Sequence, residues 1–433
     1  MKVALLTMFN GLSKTYSLVN VVEEQLGMLL RAGMEVKLLV SQDCPEEERY
    51  GVYKDERIQW VKVVNRFAGE QIHWRDYSIA AGTVHDTFFG EADTIAGDYL
   101  CHLGDVNVCI LHDILYQGWH LVHNVAIRKA QPFLPHVKFL AFTHSLPVNR
   151  PLEIHWPFSA RFTPMPNTTF IYPTEAGLGA LSQQYNTGIE ACRCVSNSFD
   201  LLAGASKDVK LLAATTDLLS PDFLIIYPGR LSSGKQFEKA AALAGAIRTV
   251  SGGTVRLICC DFPSLDTNQS RYKALIKEAG IQQGLTEEDV VFTSDAGWKD
   301  GFPHGGVLEL FRLSNLFICP SFSESFGLIV LEAASGGNFL VLNQAVPALE
   351  ELGTRLGAYF MRWNARNMGY DTRESYYPSE ADYLKEHAQH IVERMKQNPV
   401  LQAKTLVRQC YNPEWIWRNQ LEPLVRDISN ECS

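Results

Sequence analysis

PSFSESFGLIVLEAASGG, residues 320–337, is the stretch that decides how this chain folds. An apolar run, Leu316-Phe317-Ile318-Cys319, leads into it like a buried strand and breaks at Pro320. A polar loop follows to Ser325, and residues 326–335 are predicted as a helix stopped by Gly336 and Gly337. Glu332 is the one charged residue in that helix. So apolar a helix is expected to be packed on most sides, where a carboxylate loses hydration unless something donates to it. Glu324 stands eight positions earlier, in the loop. With Ser325 near the N-cap, Glu332 falls two turns down the helix, about 10 Å away at roughly 1.5 Å of rise per residue. The helix N-terminus between the two carboxylates favours a phosphate through its free N–H groups and dipole. A diphosphate at the centre with a hydroxyl-rich group at each end is the shape of a nucleotide-sugar. The plainer reading, a surface Glu324 and a Glu332 that reaches solvent from the helix edge, stays open on this stretch alone.

Working outward, 433 residues with 46% hydrophobic and 20% charged side chains suit two globular domains with full cores. The ten cysteines include no CxxC pair, and several sit in apolar runs, so they read as reduced core thiols and point to a cytoplasmic setting. The net charge of −9 argues against a protein held to nucleic acid mainly by phosphate neutralisation. The first nine residues look like a secretion signal only until Asn10-Gly11 cuts the apolar run, and they read better as a first strand. No stretch approaches 18 uninterrupted apolar residues, so no transmembrane segment is predicted. Peripheral contact with a membrane through an amphipathic patch of the first domain stays open.

The amino-terminal half alternates strand and helix signals. Residues 3–8 form a strand, 18–32 a helix ended by Gly33, and 35–40 the next strand, a βαβ start that implies a parallel sheet. Further strands are expected at 58–63, 106–111, 137–143, 169–172 and 193–196. Ligands of open α/β sheets bind at the carboxyl ends of strands, so Gly11, His112, Asp113 and His144 are expected on one rim. A lone histidine is more often a satisfied structural imidazole than a functional one, and His144, at a strand-to-loop exit, escapes that reading better than His112. His120 and His123 have HxxH spacing but no cysteine or carboxylate partner nearby, so no metal site is predicted.

A turn-rich stretch, residues 198–222, separates this half from a second alternation with strands at 223–227, 254–260, 290–293, 316–319 and 339–342. Gly229-Arg230 and Gly234-Lys235 follow the first of these strands, where two cations can clamp a diphosphate and offset the charge of a departing one. The same residues nearly satisfy the GxxxxGK[ST] phosphate loop. Gln236 replaces the Ser or Thr that would hold magnesium, which discounts an ATPase or GTPase.

Gly229-Arg230, Lys235, and the Glu324-Ser-Phe-Gly-Leu-xxx-Glu332-Ala segment about ninety residues later together resemble the donor signature of retaining glycosyltransferases of family 4. The resemblance implies the GT-B architecture, α/β with two Rossmann-like domains whose parallel sheets face each other across a cleft. It implies an acceptor-binding domain over residues 1–205, a nucleotide-sugar domain over 206–410, and a last helix, 411–433, crossing back to the first domain. Trp415 and Trp417 in that helix read as packing residues.

Carried over residue by residue, the family pattern gives Glu332 to the ribose hydroxyls and Glu324 to hydroxyls of the transferred sugar. Backbone N–H groups of Phe326, Gly327 and Leu328, after Ser325, meet the distal phosphate or sugar. Arg230 and Lys235, after Gly229, hold the diphosphate, His144 lies beside the anomeric centre, and Thr293 falls where the base is gripped. The catalytic set is then His144, Arg230, Lys235 and Glu324. The implied reaction is transfer with retention from a UDP-, GDP- or ADP-sugar to an acceptor hydroxyl. The chain has no DxD triplet to seat a bridging metal, so metal-independent transfer is expected, without a further cofactor. The acceptor (glycan, lipid, small molecule, protein or modified nucleobase) and the oligomeric state are not read from the sequence. Three departures bear on this: Asn10-Gly11 in place of two glycines, residues 343–348 in place of a Gly-Gly-x-x-Glu loop, and Ser196-Asn197-Ser198 in place of Pro-Asn-Gly. Residues 363–377 have no counterpart in the pattern. A phosphorylase or sugar epimerase on the same twin fold, and a non-catalytic binder of nucleotide-sugar, are the alternatives.

Overall fold

The computed structural model describes residues 1–72, 75–78, 83–265, 267–366 and 379–426. Most of the 363–377 stretch, and Cys432, therefore lie outside the described residues. The chain divides into two compact units. Unit 1 comprises Met1–Phe199 with the segment from Pro413 onward, and unit 2 comprises Asp200–Asn412.

Unit 1 is built on seven parallel strands, β1 (Lys2–Leu6), β2 (Glu35–Ser41), β3 (Ile58–Val63), β4 (Val108–His112), β5 (Lys138–Phe142), β6 (Thr168–Tyr172) and β7 (Cys192–Cys194). Their order is β3-β2-β1-β4-β5-β6-β7, so the direction of winding reverses between β1 and β4. The two faces of β1 feed two cores. Val3 and Leu5 pack with Leu18, Val22 and Leu26 of α1 (Ser17–Arg31), whereas Ala4 and Leu6 belong to a cluster with Ile95 of α2 (Phe88–Leu103) and Val122 and Val125 of α3 (Leu121–Ala130). Burial on both faces is why β1 and β4 read as unbroken apolar runs rather than alternating ones. Gly33, at φ +73°, ends α1 in the left-handed region, and the Met34 N–H reaches back to the Leu29 carbonyl. Near the C-terminus, Ile416, Trp417 and Leu421 are buried in the α1-side core, with Trp415 packed against its edge.

Unit 2 repeats the plan with β8 (Phe223–Arg230), β9 (Val255–Phe262), β10 (Val290–Phe292), β11 (Leu316–Cys319), β12 (Phe339–Asn343) and β13 (Tyr359–Met361), ordered β10-β9-β8-β11-β12-β13. All its pairings are parallel. The helices used below are α4 (Phe237–Ser251), α5 (Gln269–Gln282), α6 (His304–Leu313), α7 (Leu328–Ser335), α8 (Glu380–Lys396) and α9 (Pro399–Cys410). The order is that of a doubly wound nucleotide-binding fold, with its reversal between β8 and β11. Both units are thus α/β with parallel sheets.

Two differences from the sequence reading have physical causes. Strand β8 runs three residues beyond Tyr227, because Pro228, Gly229 and Arg230 stay paired with Cys260, Asp261 and Phe262. Helix α7 begins at Leu328, since Gly327 at φ +88° cannot continue a right-handed helix backward. Moreover, α7 buries one narrow face only, Val330 and Ala333, so its apolar composition does not mean enclosure. Among the described residues no helix is long and apolar enough to cross a membrane.

Candidate functional site

The carboxyl ends of β8 and β11 flank the reversal point of unit 2, where open α/β sheets hold ligands. Strand β8 delivers Gly229 and Arg230 there, and a tight turn, Ser233–Lys235, brings Lys235 round beside them. On the β11 side, Glu324 accepts from the Lys235 ammonium and from the Ser321 hydroxyl, the latter at 2.7 Å. The two loops are also joined through their backbones, the Phe322 N–H donating to the Gly234 carbonyl at 2.8 Å. Arg230 is exposed, and its guanidinium makes no hydrogen bond or ion pair among the described residues.

Gln236 explains why the near-match to a phosphate loop is not one. It is buried, in the left-handed conformation at φ +51°, and its amide donates to the Pro320 carbonyl at 2.6 Å and the Asn364 carbonyl at 3.1 Å. Buried Asn343, at the end of β12, donates to the Ser321 and Asn364 carbonyls at 3.1 and 3.2 Å. Two side-chain amides therefore brace the floor under Lys235 and Glu324. The sequence reading missed both, and the one available signal was an amide at the position where the motif demands a hydroxyl.

Ser325, Phe326, Gly327 and Leu328 bring the chain into α7. No side chain caps this helix, and its first turn carries no acidic residue. Phe326 and Leu328 stand 53% and 60% exposed, so the helix start opens to solvent. Such an end supplies free N–H groups to an anion. One turn further on, Glu332 is mostly covered and meets His304 Nε2, from the first residue of α6, at 2.9 Å. His304 was not singled out from the sequence, because 28 residues separate the partners.

Thr293, after β10, is fully buried and its Oγ1 donates to the Cys259 carbonyl at 3.4 Å. Only its backbone surroundings are left to meet a ligand. The next residue belongs to a polar network that the sequence reading also missed. Buried Asp261 accepts the Ser294 N–H at 3.0 Å and its hydroxyl at 2.5 Å, while Lys273 of α5 donates to Ser294 Oγ at 2.6 Å.

In unit 1, His112 Nδ1 and His144 Nε2 lie 3.0 Å apart with their rings stacked at 19°. Asp113, in the left-handed region at φ +59°, accepts the His144 N–H at 2.9 Å. Burial pushes the His144 imidazole down to about 4 and His112 well below the ordinary histidine value, and it pushes the Asp113 carboxyl up to about 6. Both rings are therefore neutral at pH 7. An unfolded histidine takes its proton near 6.5, before either ring does in the folded chain. The stability these neutral rings contribute is present above pH 6.5 and is lost as pH falls toward 4. Asp113 works in the opposite sense, taking its proton near 6 when folded but near 3.8 when unfolded. Proton NMR of His144 is expected to show a titration midpoint near 4, and one near the unperturbed 6.5 would contradict the buried geometry.

Gly11 follows β1 in a turn gripped by Glu48, which accepts the Leu12 N–H at 3.0 Å; a Cβ on Gly11 would sit 2.9 Å from that carboxylate. His120 and His123 pack edge to face, and His123 Nε2 meets Asn65 Oδ1 at 3.1 Å. Among the described residues no group of three or more His, Cys, Asp or Glu is placed to hold a metal ion.

No family model matches the chain, and no curated protein sequence matches it. Solved structures similar to it include a glycosyltransferase from Rickettsia africae, 12% identical over 99% of both chains with a TM-score of 0.36. Another is HepE from Anabaena in complex with UDP and glucose, 14% identical over 98% of this chain and 100% of that one, TM-score 0.36. A third is the lipopolysaccharide outer core galactosyltransferase WaaB in its apo form, 12% identical over 99% of both chains, TM-score 0.36.

Proposed function

We propose that this chain is a retaining glycosyltransferase that moves a sugar from a nucleoside-diphosphate donor to an acceptor hydroxyl, with unit 2 holding the donor and unit 1 the acceptor. The observation that carries the reading is the grouping at the reversal point of unit 2: Arg230, unpaired among the described residues, the Lys235–Glu324 pair, and the start of α7, which no side chain caps among the described residues. Cations and free N–H groups suit a diphosphate, and carboxylates suit hydroxyls. Charge gathers on the diphosphate as the glycosidic bond breaks, and Arg230, Lys235 and the α7 N-terminus meet that charge without a metal bridge. Glu332 then takes the ribose hydroxyls and Glu324 the sugar, with Phe326, Gly327 and Leu328 offering their N–H groups and the turn after Thr293 facing the base. From unit 1 this reading takes His144, neutral at pH 7, as a catalytic residue and the Gly11 turn, held by Glu48, as part of the site. The nine described cysteines are free, which fits a reducing compartment such as the cytoplasm.

The test is a thermal-shift panel of UDP, GDP, ADP and their sugar conjugates on the wild-type chain and on Arg230→Ala. A nucleotide at 100 times its dissociation constant stabilises the native state by roughly 2.7 kcal/mol, a readily measured rise in midpoint. One base series is expected to raise it, and Arg230→Ala to abolish the rise. If no series does so in the wild type, the donor reading fails. The anomeric configuration of the product, read by NMR, separates retention from inversion.

A further inference from the structure

Unit 1 has a cavity of about 310 Å³ at the reversal point of its own sheet, between the carboxyl ends of β1 and β4. That volume is at the small end of ligand pockets. It suits a single ring better than an extended chain. One wall is the loop after β1, with Asn10 and Gly11; the other is the loop after β4, with Asp113, Gln117 and Trp119; Tyr16, at the start of α1, closes the third side.

The backbone on both walls is held in a rarely populated conformation. Met8 at φ +54° and Asp113 at φ +59° line the same space, and such residues persist where the surroundings over-determine them. The polar groups there ask for a particular ligand. Asp113 already accepts from the His144 N–H and the Gln117 side chain, and its remaining carboxylate lone pairs are acceptors for a ligand. Asn10 Nδ2 is a buried donor without a partner among the described residues. Tyr16 is the N-cap residue of α1, with no side-chain cap and no acidic residue in the first turn; the Val19 and Asn20 N–H groups bond the Tyr16 carbonyl, which leaves those of Ser17 and Leu18 as further donors. An anion would meet those donors but face the Asp113 carboxylate, and a cation would do the reverse. A hydroxyl both donates and accepts, so a neutral polyol satisfies the two kinds of group together. Trp119 and Tyr16 are large aromatics left 40% and 50% exposed, and Phe9 supports Tyr16 edge-on with ring centroids 6.4 Å apart. Aromatic faces beside hydroxyl-binding groups suit a pyranose, which has apolar C–H faces and a polar rim.

We propose that this cavity binds a neutral pyranose ring, the sugar unit of the acceptor, with Asp113 and Asn10 on its hydroxyls and Trp119 and Tyr16 against its faces. The acceptor role rests on the transferase reading. The binding itself does not.

The experiment therefore uses the full chain without nucleotide. Saturation-transfer NMR is run with methyl glycosides of glucose, galactose, mannose and N-acetylglucosamine at about 10 mM, enough to load a millimolar site. At least one pyranoside is expected to receive saturation. Trp119→Ala and Asp113→Asn should each weaken its binding about tenfold, and Phe133→Ala, a substitution at a well-exposed position elsewhere in unit 1, should leave it unchanged. Asp113→Asn keeps the oxygen that accepts the His144 N–H, so loss of binding there is not loss of fold. Absence of transfer to every pyranoside, equal transfer in the two site variants, or a preference for free nucleosides at these residues overturns the proposal. Pyranoside binding alongside a failed nucleotide panel upholds the cavity and removes only the transferase reading.

Discussion

Lys235→Ala is expected to lower sugar transfer by about 100- to 1,000-fold while the chain stays folded, the loss usual for removing one preorganised donor from a developing anion. Lys235 is half-buried and its ammonium points at Glu324 across the end of β8 and β11. On the proposed reading its removal strips charge from where the diphosphate would lie, and it leaves Glu324 with Ser321 as its remaining partner. Stability should change little, since the pair is partly solvated and such pairs contribute about 1 kcal/mol or less. The measurement is kcat/KM with the donor found in the nucleotide panel, alongside a thermal midpoint. Lys235→Arg keeps the charge but not the compact ammonium, and should recover part of the rate. Full activity in Lys235→Ala would remove Lys235 from the reaction, and a collapsed midpoint would make it a structural residue.

The second large effect is on stability. Arg408 of α9 is buried, and its guanidinium donates to the carbonyls of Leu219 at 2.7 Å, Pro221 at 2.6 Å and Leu218 at 3.4 Å. One side chain thus satisfies three carbonyls of the segment that leads into β8. Burial lowers its pKa to about 10, with Asp217 and Asp222 opposing that shift, so it stays charged at neutral pH. Arg408→Met fills similar space but leaves those carbonyls without donors. The expected cost is about 3–5 kcal/mol, comparable to removing one partner of a buried charged network. For a unit of this size that lowers the midpoint by roughly 10 °C. Chemical denaturation of wild type, Arg408→Met and Arg408→Lys checks it. The lysine variant should fall between the other two, and a methionine variant as stable as wild type would mean that the carbonyls find water instead.

Much of the fold was legible because parallel strands covered on both faces advertise themselves as apolar runs. Val3 to Leu6, Leu224 to Tyr227 and Leu316 to Cys319 each read that way and each became a central strand. Tyr359–Met361 escaped notice: three residues at a sheet edge leave too little pattern. Composition misled at α7, where Leu328 looks like core but faces solvent. An apolar side chain at a solvent-facing edge is indistinguishable from a core residue until the packing is seen. Of the candidate site, the charged residues near the motif could be named, but not their partners. His304 with Glu332, Gln236 with Pro320, and Asp261 with Ser294 are pairings across 28 to 84 residues that only the sheet order brings about.

The Lys235–Glu324 pair has one more consequence for what unit 2 will admit. In the empty state each charge already has its counterpart. A stray phosphate can draw the ammonium away, but it strands a mostly covered carboxylate; a free sugar can engage the carboxylate, but it strands the ammonium. Leaving either group unmatched costs up to about 1 kcal/mol, since the pair is partly solvated. A molecule carrying both an anion and hydroxyls, joined at the right distance, releases the two together without that cost. On the transferase reading the pair behaves as a logical AND, favouring the conjugate over either fragment alone.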